Sequence, residues 1–136
     1  MNATYVLDAS ALIDFLDSGP GLRKVDQLLH AAVQEKTDIF VSVMNLGEVF
    51  YWLWIKRSEE RARQTIHGLS RLPIQIVAVD LPQAIKAGEL KALHRIPYVD
   101  CIAAALALQQ RATLVTADRD FEKLGRHFPV AWLPRR

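Results

Sequence analysis

Cysteine occurs once in the 136-residue chain, at Cys101, so no internal disulfide framework is available. That usage fits a reducing compartment. Long apolar runs are also missing. The longest apolar runs, such as VFYWLWI at 49–55, fall far short of the ~20 residues a membrane-spanning helix needs. The opening MNATYVLD has neither the basic nor the apolar region of a secretory signal, and its hydrophobic part reads as a strand. These absences lead to the expectation of a cytoplasmic protein without membrane contact. Excess charge is lacking as well: the formal net charge of +2 does not by itself announce nucleic-acid binding. His30, His67, His94 and His127 are scattered without zinc-ligand spacing. No Gly-rich loop follows any strand candidate, which argues against a nucleotide site. Cys101 sits in an apolar helical stretch with no sequence-local activator, so it reads as core.

What is present is a core-forming pattern. The hydrophobic fraction of 51% argues against disorder, and 136 residues without repeat, low-complexity tract or linker predict one domain, 1–136. Short runs rich in Val, Ile and Leu predict strands at 3–8, 38–43, 74–79, 113–117 and 129–133. They are continuous rather than alternating, as in strands buried on both faces of a parallel sheet. Helices are predicted at 10–17, 22–34, 45–56, 58–70, from Pro82 to about 94, at 99–111, and as a short piece at 118–125. Strands alternating with helices specify an α/β fold, a three-layer α/β/α domain around a central parallel sheet of about five strands.

Ligands bind such sheets beyond the carboxyl ends of the strands, near the topological switch point. Two apolar strands end there in acids: YVL runs into Asp8, and LVTA into Asp118. Asn45 and Glu48, spaced i, i+3 in MNLGEV, share a helical face after the second strand. Asp100 falls in the first turn of the Ala-rich helix beyond Pro97. In a parallel sheet, Asp8, Glu48, Asp100 and Asp118 therefore collect at one edge, with Asp120 one turn away. Acids also cap helices, each contributing roughly 0.3–2 kcal/mol, so any one of them alone has two readings. Four together repel one another and raise some of their pKa values. A divalent cation such as Mg²⁺ or Mn²⁺, which prefers carboxylate oxygens, removes that conflict. Ser10 and Thr116 add hydroxyls beside Asp8 and Asp118, and Ser10 is equally readable as a cap. Asp80 is better explained as a cap before Pro82, and Asp14 and Asp17 as exposed residues of the first helix.

The pieces YVLDASALI, SVMNLGEV, YVDCIAAALA and LVTADRDF, in this order, resemble the PIN-domain nucleases, and among them the VapC-type toxins of bacterial toxin–antitoxin pairs. The resemblance covers essentially the whole chain. It implies a PIN fold and a Mg²⁺- or Mn²⁺-dependent endoribonuclease acting as a toxin. Asp8, Glu48, Asp100 and Asp118 correspond to the family's metal-binding acids, and Asp120 to a share in a second metal position. Ser10, Asn45 and Thr116 support them, Asn45 standing where many relatives carry Thr or Ser. The implied partners are an RNA substrate, a cognate antitoxin protein and a second copy of the chain in a homodimer.

Two surface features extend this reading. Lys56, Arg57, Arg61, Arg119 and Arg126 are positioned to form a cationic rim that draws RNA toward an acidic site, and Arg135 and Arg136 make a second basic cluster. Phe50, Tyr51, Trp52 and Trp54 point in several directions around one helix and cannot all face the sheet, so they are the expected partner surface. The alternative from another class is a catalytically silent PIN-like binding module whose acids are only helix caps. Phosphoryl transfer of the haloacid-dehalogenase or response-regulator kind fits less well. DASAL lacks the second acid of the first, and no lysine follows the penultimate strand as the second requires.

Overall fold

The computed structural model describes residues 2–135, so Arg136 of the C-terminal basic cluster lies outside the described residues. Five strands, β1 (Ala3–Leu7), β2 (Thr37–Ser42), β3 (Gln75–Val77), β4 (Thr113–Thr116) and β5 (Val130–Trp132), form one sheet in the order β3-β2-β1-β4-β5. Every neighbouring pair is parallel. The helices are α1 (Ala9–Leu16), α2 (Leu22–Val33), α3 (Val43–Lys56), α4 (Glu59–Gly68), α5 (Leu81–His94) and α6 (Tyr98–Gln110). Two 3₁₀ turns, Leu69–Arg71 and Arg119–Leu124, complete the chain. The expected three-layer α/β/α architecture with five parallel strands is the one observed.

Alternation along the strands builds the layers. Val6 and Leu114 pack on one face with Ala87, Ile102 and Ala103 from α5 and α6. Leu7 and Val115 pack on the other with Leu12, Val25 and Val49 from α1, α2 and α3. Side chains of successive residues point to opposite faces of a strand, so the central strands β1 and β4 serve both cores. Helix α6 is buried from Asp100 to Ala107, and its alanines let the backbone lie close to both the sheet and α5. The strand order runs outward from β1 in both directions, which places the switch point between β1 and β4.

Three details differ from the sequence reading. Helix α3 starts at Val43 rather than 45, because the Ser42 hydroxyl accepts from the Met44 N–H at 3.2 Å and caps it. Glu48 therefore lies in the second turn of α3. The segment after Asp118 is a 3₁₀ turn. Asp14 and Asp17 are not exposed. Asp14 is fully buried and its Oδ2 accepts from the Gly21 N–H at 3.0 Å. Asp17 holds Arg57 at 2.7 Å and Arg61 at 3.7 Å.

The buried Asp14 explains the glycines of the α1–α2 turn. A Cβ at Gly21 would stand 2.5 Å from Asp14 Oδ2 and 2.9 Å from Leu133 Cδ1, and one at Gly19 would also collide with the carboxylate. Gly21→Ala is therefore expected to destabilise the protein by about 1–3 kcal/mol, the usual cost of forcing an extra carbon into a packed site. Urea unfolding with an unchanged midpoint would show that the turn yields.

Candidate metal centre

The acids of the site come from four pieces of the chain at the carboxyl edge of the sheet, with Asp118 and Asp120 sharing one 3₁₀ turn. Asp8 leaves β1 and caps α1, its Oδ1 accepting from the Ala11 N–H at 3.0 Å and from the Ser10 hydroxyl at 2.7 Å. Its Oδ2 accepts from the Thr116 hydroxyl at 2.5 Å. That bond ties the end of β1 to the end of β4 across the switch point. Thr116 Oγ1 in turn accepts from the Asp118 N–H at 2.9 Å, and Ser10 Oγ accepts from the Ala117 N–H at 2.9 Å. Ser10 and Thr116 thus lock both acidic loops to one another. Asp118 caps the 3₁₀ turn through the Asp120 N–H at 2.9 Å. Glu48 Oε1 accepts from Asn45 Nδ2 at 2.8 Å, which fixes the carboxylate one helical turn away.

These side chains converge. Asp8, Ser10, Glu48, Asp100 and Asp118 line one cavity of about 180 Å³. Asp100, Asp118 and Asp120 each offer a carboxylate oxygen, and these atoms all lie within 4.8 Å of one another. Capping accounts for Asp8 and Asp118 but not for the other acids. Helix α3 is capped by Ser42, and α6 follows Pro97 with no side-chain cap. Glu48 is therefore held in the cluster for a reason other than helix termination, and Asp100, in the first turn of α6, makes no capping hydrogen bond.

The cost of the cluster shows in its protonation. Burial pushes the Asp100 carboxyl up to about 8, and the neighbouring charges of Asp118, Asp8 and Glu48 push in the same direction. Burial also raises Asp8 to about 6, against the lowering effect of its bonds to Thr116, Ser10 and Ala11. Glu48 is raised, chiefly by burial. An oxygen-only donor set that resists full ionisation suits a hard divalent cation, which neutralises the charge without needing imidazole or thiolate.

The remaining sequence-selected residues stand apart from the cavity. Lys56, Arg57 and Arg126 are exposed, and Arg61 is half-buried. Arg57 and Arg61 are both engaged by Asp17, which the sequence reading took for an exposed helix residue. Arg119 points toward β5, donating from Nη2 to the Leu133 carbonyl at 2.9 Å and lying 4.5 Å over the Trp132 ring. Trp132 was not singled out from sequence; the available signal was its place at the carboxyl end of a strand. On α3, Phe50 and Trp52 pack partly into the core while Tyr51 and Trp54 stay exposed. Arg63 of α4 lies 5.6 Å over Phe50 and 5.4 Å over Trp54, and covers part of that surface.

The raised carboxyls set the pH dependence of the metal-free protein. A folded pKa of about 8 for Asp100, above its ordinary 3.8, gives stability that is fully present below 3.8 and lost as pH rises through about 8. Asp100→Asn removes this loss. Thermal melts in chelator should show the variant gaining stability over wild type at about pH 8.5 and little at about pH 4. Equal pH slopes for the two proteins would contradict the crowding described here.

Comparison with known proteins agrees with the fold. A family model described as PIN domain matches residues 5–127. No curated protein matches the sequence. Among solved structures, the chain is similar to VapBC2 from Rickettsia felis bound to a promoter DNA fragment, with 20% identity, a TM-score of 0.77, and coverage of 96% of this chain and 99% of that one. DNA-bound VapBC from Salmonella typhimurium gives 19% identity and a TM-score of 0.75, covering 95% and 97%. VapC20 from Mycobacterium tuberculosis, described as a Sarcin-Ricin loop cleaving toxin, gives 16% and 0.72, covering 89% and 95%. Identities this low speak to fold alone, but the family model spans both acidic strand ends and the helices between them, and the chain belongs to the PIN domain family.

Proposed function

We propose that this protein is a metal-dependent endoribonuclease, the toxin of a toxin–antitoxin pair, acting in the cytoplasm. The observation that carries the proposal is the convergence of Asp100, Asp118 and Asp120, with Asp8 and Glu48 at the same sheet edge. Capping, the basis of the silent binding-module alternative, leaves Glu48 and Asp100 unexplained. The solved structures it resembles include toxin–antitoxin complexes and a toxin that cleaves the Sarcin-Ricin loop, which supports an RNA substrate and an antitoxin partner.

Asp100, Asp118 and Asp120 would hold Mg²⁺ or Mn²⁺, with Asp8 and Glu48 completing the acidic wall. The cation supplies Lewis-acid activation of water and charge neutralisation for phosphodiester hydrolysis. The protein's own part is positioning. Thr116 and Ser10 hold Asp8 in one rotamer, Asn45 holds Glu48, and the Asp120 N–H holds Asp118. Preset carboxylates avoid reorganisation during the reaction, a principal source of catalytic power. The raised pKa of Asp100 means that a proton competes with the metal for its oxygens, so metal affinity and cleavage should rise with pH up to about 8.

Exposed Tyr51, Trp54 and Ile55 on α3 form the surface assigned to the antitoxin and to homodimer contacts. Aromatic side chains with adjacent arginine are typical of the residues that dominate such interfaces.

Calorimetric titration of Mn²⁺ into wild type and Asp118→Asn, with cleavage of a structured RNA pool assayed in parallel, tests the enzyme reading. The variant is expected to lose at least about tenfold in metal affinity and all detectable cleavage. Wild type that binds no metal and cuts no RNA, freed of any copurified partner, would return the acids to structural roles. Separately, Trp54→Ala or Tyr51→Ala is expected to weaken antitoxin binding about tenfold or more while Mn²⁺ affinity holds. Unchanged antitoxin affinity in both would remove α3 as the partner surface.

A further inference from the structure

Beside the acidic site, the edge strand β5 carries an aromatic residue in register with it. Thr116 of β4 pairs with Trp132 of β5, and Thr116 donates to Asp8 at the end of β1. By strand alternation these three residues share one sheet face. Val130, two residues before Trp132, is opposite Leu114, which packs on the α6 side. Asp100 opens α6 on that same side. Asp8, Thr116 and Trp132 thus form a row across three strands, and two strand spacings separate its ends by about 10 Å. A nucleotide next to a phosphate held at the acids covers that distance.

The indole is held in place and remains available. Arg119, the residue between Asp118 and Asp120, lies 4.5 Å over the ring, and its Nη2 is anchored on the Leu133 carbonyl. Trp132 is nevertheless 38% exposed. It opens onto a cavity of about 490 Å³ walled by Phe121, Glu122, Arg126, Phe128 and Pro129. That volume admits a nucleobase, and its walls combine apolar surface with Arg126 and with Glu122, whose carboxylate lies 3.6 Å from Arg135. Arg119 under the ring and Arg126 at the mouth give the positive charge that a phosphate on either side of the base requires.

We propose that the Trp132 cavity is a base-binding subsite, in which an unstacked nucleobase of the RNA substrate, neighbouring the scissile phosphate, stacks on the indole beside Arg126. The proposal rests on the nuclease reading and adds where the substrate's base goes. Single-stranded nucleic acids bind through such pairings of aromatic face and cationic groove, and the stacking tolerates every base. The subsite therefore selects for an unpaired nucleotide rather than for a sequence. It also assigns Arg119 a role other than the open rim: it preorganises the indole from the loop that carries two of the acids.

Cleavage kinetics on a structured RNA pool separate the possibilities. Trp132→Ala is expected to raise KM about tenfold with kcat within about twofold, and Trp132→Phe to restore most of the loss. Mn²⁺ affinity stays at the wild-type value in both. Near-UV crosslinking of a 4-thiouridine-substituted RNA pool to the wild-type protein, read by mass spectrometry, is independent of variant folding and should place adducts within residues 126–132. An unchanged KM in Trp132→Ala, or a folded variant that loses only kcat, would overturn the proposal, as would adducts confined to other segments. Wild type that cuts and crosslinks no RNA would sink the nuclease reading and this subsite together. Wild type that cuts RNA while Trp132 contributes nothing would sink the subsite alone.

Discussion

The Thr116 hydroxyl donating to Asp8 joins the ends of β1 and β4 at the point where strand order reverses. Much of the site depends on this contact. At a switch point the two loops leave in opposite directions, and beyond the strands their backbones share a long contact of 3.4 Å from the Asp8 N–H to the Val115 carbonyl. Here side chains take over. Ser10 accepts from the Ala117 N–H, and Thr116 bonds both Asp8 and the Asp118 N–H. The result is a small network spanning residues more than a hundred positions apart. Networks of this kind in a buried setting rigidify what they connect, and what they connect are two loops bearing acids.

Against this stands electrostatic repulsion. The folded chain confines Asp8, Glu48, Asp100 and Asp118 to one cavity, and the response is visible in Asp100, whose carboxyl is pushed to about 8. The Ala11 N–H donating to Asp8 offsets part of the conflict there, because a carboxylate accepting such a bond is easier to keep ionised. Asp100 lies in the first turn of α6 without a capping bond, and Glu48 has only the Asn45 amide, so burial and like charge dominate at both. That uncompensated negative charge is the physical basis of the proposed metal centre.

The surroundings divide into two sides. Helices α3 and α4 carry Tyr51, Trp54 and the Arg63 stack, with Glu48 one turn earlier on α3. The β5 edge carries Trp132 against Arg119, the residue between Asp118 and Asp120. Arg119 illustrates how a charge count misleads: read as a rim cation, it spends its guanidinium on a carbonyl and an indole. Arg57 and Arg61 behave similarly, gathered by Asp17.

The sequence alone determined the layer architecture, because continuous apolar strands separated by helices have essentially one way to bury both faces of each strand. Strand boundaries came within about two residues, and the four acids were picked out by their positions at strand ends and helix starts. Local pattern suffices for these, since strand and helix periods are properties of neighbouring residues. Only tertiary structure decided the rest. Asp14 reads as an exposed helix residue until Gly21 and Leu133 close over it. Asp17 acquires its meaning from arginines on another helix, and Trp132 acquires its place from strand pairing with Thr116. Each of these depends on contacts between distant residues, and the energy of such contacts is set by which surfaces the fold brings together, not by spacing along the chain.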